Sequence, residues 1–227
     1  MSTQVQPAMP SVSFVQAAHE HQEPGGLDFS YTPGANSIVI GPTDVPANGY
    51  LRHIFILCQG SGGVLGAGVP HPDFPFNIFS EIAMIDVNGA QIVGPVSNWQ
   101  LFLMNLHGGY VFQTDPRMAP DFNGTINFSW GLRIPVEIMH NNGLGAMPNQ
   151  SSAAQYKYRL TTNVGVGNTG LFTTAPTTLP IIRVRTLIET WTLPAAQDGA
   201  GRTQMQAPPR VGTTQFWSVS TDRKSVV

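Results

Sequence analysis

The chain is predicted to fold as an all-β sandwich or barrel, and three observations carry that prediction. Strand-length runs rich in Val, Ile, Thr and Phe recur between Gly- and Pro-rich loops, and few segments have a helical pattern. Gly (24) and Pro (19) make about a fifth of the 227 residues, against roughly 12% in average usage. Charged residues are 11% of the chain, against about 25% in ordinary soluble domains. Ample apolar residues exclude the disordered class, and sparse charge suggests a surface largely covered by something, most simply by copies of the same chain.

The elements follow in order. Residues 1–26 read as an arm, punctuated by Pro7, Pro10 and Pro24-Gly25-Gly26. SIVI (37–40) and GYLRHIFILCQ (49–59) read as strands, and 60–76 as a loop laden with Gly and Pro. IAMIDVNGAQIV (82–93) reads as a hairpin, with Asn88 and Gly89 as the turn because Asn-Gly readily takes the two positive-φ positions of a type I′ turn. WQLFLMNLHGG (99–109) is the helix candidate, capped by Asn98 and ended by Gly108-Gly109. Strands are expected within 125–139, 153–165 and 180–194. Their incomplete alternation suits sheets with one face on a core and the other on a neighbour.

Chemistry is hard to place on these elements. GVGNTG (165–170) matches a dinucleotide fingerprint, but the Thr- and Pro-rich LFTTAPTTLP that follows cannot supply the helix a pyrophosphate needs, so it reads as a loop. His19-Glu20-His21 and His71-Pro72-Asp73 are the close His/acid groups, and neither has the three or four convergent ligands of a metal site. Ser61 lacks the flanks of a nucleophile elbow, and His53, His107 and His140 are scattered. No catalytic residue, metal or cofactor is assigned, and an enzyme is not expected. The lone Cys58 sits in an apolar run and reads as a small buried hydrophobe. Asn123, Asn127 and Asn149 begin formal glycosylation sequons, incidental in a chain whose first residues do not read as a signal peptide. No apolar stretch is long enough for a membrane-spanning helix.

Net charge is −2, unevenly spread: residues 1–150 hold three basic and ten acidic residues, residues 151–227 eight and three. Lys157 and Arg159 share one strand face, as do Arg183 and Arg185, making a possible basic contact face toward phosphates or acidic patches of a neighbouring copy; solvated strand edges are the alternative. No specific nucleic-acid motif accompanies them. Trp99, Trp130, Trp191 and Trp217 could form a sugar-stacking platform or pack in the core and at subunit contacts.

A set of short motifs adds a family. Arg52-His53-Ile54, Gly62-Gly63, Pro75-Phe76-Asn77, Asp86-Val87-Asn88-Gly89 and the helix from Trp99 to Tyr110 follow one another, and Trp191 to Pro194 gives a Trp-x-x-Pro strand end. In order and spacing this resembles the first jelly roll of the double-jelly-roll major capsid proteins of the tectivirus, corticovirus and adenovirus lineage. The resemblance covers about 27–221 and implies a structural protein of a tailless icosahedral, membrane-containing double-stranded DNA virus of bacteria or archaea. It implies homotrimeric, pseudo-hexagonal capsomers, penton and minor capsid proteins as partners, and an N-terminal arm that locks neighbours or reaches an internal membrane. The virion shell, assembled in the host cytoplasm, is the implied location. A carbohydrate- or receptor-binding jelly roll is the alternative.

The expected division is an arm at 1–26, a first jelly roll at 27–200, and a linker with the opening strand of a second jelly roll at 201–221. Pro209 to Trp217 matches the family's Pro-x-x-Gly-Thr-Thr-x-x-Trp opening. Residues 222–227, DRKSVV, read as the translation of a common sequencing adapter and are expected not to be native.

Overall fold

The computed structural model describes residues 12–110, 124–138 and 142–209. The expected second-jelly-roll strand, the adapter-like tail, Trp217 and His140 lie outside the described residues.

The chain pairs as one long hairpin that has been rolled up. Its strands are β1 (Glu20–Tyr31), β2 (Val39–Asp44), β3 (Tyr50–Val64), β4 (Val69–Pro70), β5 (Phe79–Ile85), β6 (Gln91–Val96), β7 (Thr125–Pro135), β8 (Met147–Pro148), β9 (Lys157–Thr162), β10 (Phe172–Thr174) and β11 (Ile181–Trp191). Working outward from the central turn, β5 pairs with β6, β3 with β7, β2 with β9 and β1 with β11, all antiparallel. Rolling adds the β11–β3 and β5–β9 pairings and splits the hairpin into two sheets, β1-β11-β3-β7 and β2-β9-β5-β6. This is a double Greek key closed into a sandwich. The chain is a jelly roll.

Alternation explains why the sheets pack. In β11 the residues Ile182, Val184, Thr186 and Ile188 are buried, while Ile181 before them and Arg183 between them are exposed. Ile54, Ile56 and Cys58 of β3, Trp130 and Leu132 of β7, Ile82 and Met84 of β5, and Tyr158 and Leu160 of β9 share that one core. Cys58 is fully buried, and burial pushes its thiol well above the ordinary range.

The central turn differs in detail from the expected type I′ turn. Gly89 N–H donates to the Asp86 carbonyl, so Val87 and Asn88 are the central residues and Gly89 follows at φ 84°. Asp86 N–H then donates to the Ala90 carbonyl, which makes a three-residue hairpin loop with glycine in the left-handed position.

Helix α2 (Asn98–His107) begins one residue earlier than expected. Ser97, not Asn98, is the N-cap: its side chain accepts from Gln100 N–H at 3.2 Å, and the Gln100 side chain accepts from Ser97 N–H at 2.8 Å. The other helix, α1 (Phe14–Ala17), is a single turn.

Two expected boundaries are corrected. The division at 26/27 falls inside β1, because residues 20–31 pair with β11 along its whole length. Pro24-Gly25-Gly26, read from sequence as a break, is a bulge: the partner of Pro24 is Leu187 and that of Asp28 is Arg185, which leaves two extra residues in β1. The supposed loop at 60–68 is likewise partly strand, since β3 continues to Val64 across a register shift between Gly60 and Gly63. A Cβ on Gly60 would fall 2.1 Å from the Phe128 ring, so glycine is what lets that ring cross the strand.

A polar link ties the bulge to the opposite sheet. Tyr158, fully buried on β9, donates its hydroxyl hydrogen to the Gly25 carbonyl at 2.8 Å and lies 2.7 Å from the Thr186 hydroxyl. Burial raises its phenol above the ordinary value. Tyr158→Phe is expected to lower unfolding free energy by about 1–2 kcal/mol, because a buried carbonyl loses its partner. Urea unfolding measures it, and an unchanged midpoint would show the bulge to be held by ladder bonds alone.

Candidate functional site: the motif residues and a buried ion pair

Two motifs far apart in sequence meet at the start of β3. Arg52 is 4% exposed there, and its Cζ lies 4.4 Å from the centroid of the Trp191 ring at the end of β11. Its Nε donates to Glu137 Oε2 at 2.6 Å, and its Nη1 lies 2.9 Å from Glu20 Oε1. Trp191 Nε1 donates to Glu137 Oε1 at 3.3 Å, so one carboxylate receives both motif side chains. Glu137 follows the end of β7 at Pro135, and its N–H donates to the Arg52 carbonyl at 2.9 Å. The Tyr110 hydroxyl donates to the Glu137 carbonyl at 3.0 Å, and His53 Nε2 lies 3.9 Å from Glu137 Oε2.

Electrostatics here are those of a buried pair. Burial pushes the Glu137 carboxyl above the usual range, opposed by the Arg52 guanidinium and by Trp191. Burial works against the Arg52 charge too, but bonds to Glu137 and Glu20 outweigh it and hold the guanidinium protonated. Glu137 is 0% exposed, so the arrangement fixes backbone segments together and offers no reactive group to a solute.

The chain's outlying segments converge on the same place. Phe14 of α1 is 1% exposed and packs edge-on against Tyr50 (5.4 Å between centroids) and Trp191 (6.0 Å), with Ala18 and Ala146 beside them. Val12 forms a parallel bridge with Gln204, its N–H donating to the Thr203 carbonyl and its carbonyl accepting from Met205 N–H. The Tyr50 hydroxyl donates to the Gln206 carbonyl at 3.1 Å. Residues 12–18, which were expected to be arm, are therefore docked under the segment that leaves the jelly roll after β11. Pro194 is buried three residues beyond that strand.

No protein-family model matches the chain, and no curated protein matches it by sequence. Among solved structures it is similar to the crystal structure of the STIV MCP, at 15% identity and TM-score 0.46, over 78% of this chain and 50% of that one. It is also similar to a chain in the atomic structure of Sulfolobus Turreted Icosahedral Virus, at 14% identity and TM-score 0.48, over 81% and 51%. The chain spans about half the length of these solved chains.

The four basic residues are not brought together. Lys157 and Arg159 project from β9 of one sheet, Arg183 and Arg185 from β11 of the other, each on the face turned away from the core. Cross-strand partners meet them: Lys157 lies 3.3 Å from Asp44, Arg159 3.6 Å from Glu81, and Arg185 donates to Gln59 at 3.1 Å. Arg183 holds Asp28 with two bonds, of 2.8 and 2.6 Å, and these keep the Asp28 carboxyl below its usual range. Nor do the described tryptophans make a platform. Trp130 is buried in the core and Trp191 in the second cluster, while Trp99 is 37% exposed on α2.

Sequence reasoning missed Glu137, Phe14 and Asn105. Glu137 had one signal, a single acid inside the apolar run IPVEIM; Phe14 and Asn105 had none, because their partners lie far along the chain. Among the described residues, no group of His, Cys, Asp and Glu is arranged to hold a metal ion.

Proposed function

We propose that the chain is a structural subunit of a viral capsid, the first jelly roll of a double-jelly-roll major capsid protein. A jelly roll alone does not decide this, since lectins and cupins share the architecture. The observation that carries the reading is the meeting of Arg52 with Trp191, the two motif positions at opposite ends of the resemblance, at 4.4 Å. They meet where the chain leaves the sandwich after β11. Exposed Val64, Val69, Val166 and Ile181 give the jelly roll apolar surface that contacts between copies would cover.

In this reading the capsomer is a homotrimer of pseudo-hexagonal outline, built from subunits with two jelly rolls each, and the shell includes penton and minor capsid proteins. Asn88 and Gly89 set the hairpin about which the roll is wound, and Trp191 and Pro194 close the first jelly roll. Residues ahead of Val12 carry contacts to neighbouring capsomers or to an internal membrane. Lys157, Arg159, Arg183 and Arg185 serve as separate contact points on two faces rather than as one basic patch. The virus is tailless, infects bacteria or archaea, and assembles in the host cytoplasm.

Size measurement of the full-length gene product tests the reading. Light scattering and sedimentation are expected to give a trimer that grows into larger shells or sheets as concentration rises. A protein that stays monomeric at every concentration would overturn it.

A further inference from the structure

We propose that the cleft at one end of the β2-β9-β5-β6 sheet binds a single neutral pyranose ring, such as the terminal sugar of a glycan. The start of β5, the end of β6 and the end of β9 all lie at this end, as the pairings Phe79 with Thr162 and Ile82 with Val96 require. The loop carrying GVGNTG forms one wall, and the first turn of α2 another. The volume of this open cleft is about 220 Å³, below the roughly 300–1,000 Å³ of sites for drug-sized ligands. One ring is the size of occupant it suits.

The lining has the chemistry of sugar recognition. Trp99 is 37% exposed at the cleft, and its ring packs against Phe102 at 5.2 Å and Phe76 at 6.3 Å. A braced, half-exposed indole offers an apolar face to the C–H side of a pyranose and an N–H to its hydroxyls. Asp73 N–H donates to His71 Nδ1 at 3.2 Å, and the Asp73 carboxylate lies 3.7 Å from the same nitrogen. That carboxylate is 41% exposed and can accept from a sugar hydroxyl. Asn168 and Thr169 are exposed on the opposite wall.

Asn77 holds the wall in place. It is nine-tenths buried, lines the cleft, and donates through Nδ2 to the Gly170 carbonyl at 2.9 Å, which ties the segment ahead of β5 to the GVGNTG loop. Charge narrows the class further. No Lys or Arg lines the cleft and Asp73 is its acid, so phosphates, sulfated sugars and sialic acids are disfavoured. The GxGxxG loop is followed by β10 rather than a helix, so it has no helix N-terminus to offer a phosphate.

The experiment is a calorimetric titration of the full chain with the methyl pyranosides of glucose, galactose and mannose, beside an array of neutral and sialylated glycans. At least one neutral sugar is expected to give a saturable change with Kd on the order of 1 mM, the range of a small site making few contacts. Trp99→Phe should keep binding, while Trp99→Ala and Asp73→Asn should each weaken it by about tenfold or more. If Trp99→Ala does not fold, the exposed pair Asn168→Ala with Thr169→Ala carries the test, with the same loss expected. No saturable response to any of the three sugars, binding unchanged in the variant that folds, or a preference for sialylated glycans would overturn the proposal. Its failure would leave the size measurement for the capsid reading untouched, and the reverse also holds.

Discussion

Arg52→Met is expected to lower unfolding free energy by about 3–5 kcal/mol at neutral pH, because it strands a carboxylate in the interior. Methionine keeps most of the volume over Trp191, so the loss comes from charge rather than packing. Glu137 would remain 0% exposed with its 2.6 Å bond from Arg52 gone. The pH dependence gives the assignment its force. Burial already raises the Glu137 carboxyl while Arg52 holds it down, so without Arg52 it must rise further. A carboxyl whose folded pKa lies above its unfolded value, about 4.3 for Glu, contributes stability that is fully present below the unfolded pKa. That contribution is lost as pH rises through the folded pKa. The deficit of Arg52→Met relative to the parent should therefore shrink as pH falls from 7 toward the ordinary Glu value. Adding Glu137→Gln to Arg52→Met should remove this pH dependence. Urea unfolding at several pH values checks both, and a deficit that stays constant with pH would show that the ion pair is not its source.

The strands that sequence revealed best are buried by alternation: β7, β9 and β11 are rich in β-branched and aromatic residues at period two and were placed within a few residues, as was the start of β3 but not its end beyond Gly60. β1 was not legible, for a physical reason. It is an edge strand whose mostly exposed sequence EHQEPGGLDFSY is interrupted by Pro-Gly-Gly, and only Tyr158 from the opposite sheet and the β11 ladder explain why that interruption is a bulge rather than a break. The capping box hid for a smaller reason: both Ser97 and Asn98 are good caps, and Gln100 three residues after Ser97 was the deciding signal. The Arg52–Trp191 meeting was legible only as two separate motifs. Their contact depends on β11 pairing with β3, where Trp191 faces Tyr50, and on Glu137 arriving from a third strand. The cleft was least legible of all, since His71, Asp73, Trp99 and Asn168 come from two connections and a helix turn.

Asn105→Leu is expected to cost about 2–4 kcal/mol and to make the protein self-associate, and both effects have one cause. Among the described residues β7 is the edge of its sheet, with β3 on one side only. On its open side the Asn105 side chain stands in for a missing strand: Oδ1 accepts from Arg133 N–H at 2.8 Å, and Nδ2 donates to the Arg133 carbonyl at 2.8 Å. The same Nδ2 also donates to the Leu101 carbonyl at 2.9 Å, so the amide is held within α2 before it meets the strand. Asn105 is 0% exposed, and leucine of similar size would leave two backbone groups of Arg133 unpaired at roughly 1–3 kcal/mol each. An uncovered edge also offers its free N–H and carbonyl groups to another chain. Asn105→Asp separates the terms, because a carboxylate still accepts from Arg133 N–H but faces the Arg133 carbonyl with no donor. It should therefore be destabilised while its added charge opposes pairing between copies. Denaturant unfolding read beside sedimentation gives the two outcomes independently. A leucine variant as stable and as dispersed as the parent would mean that packing of Leu101 and Phe102, and not the amide, is what seals the β7 edge.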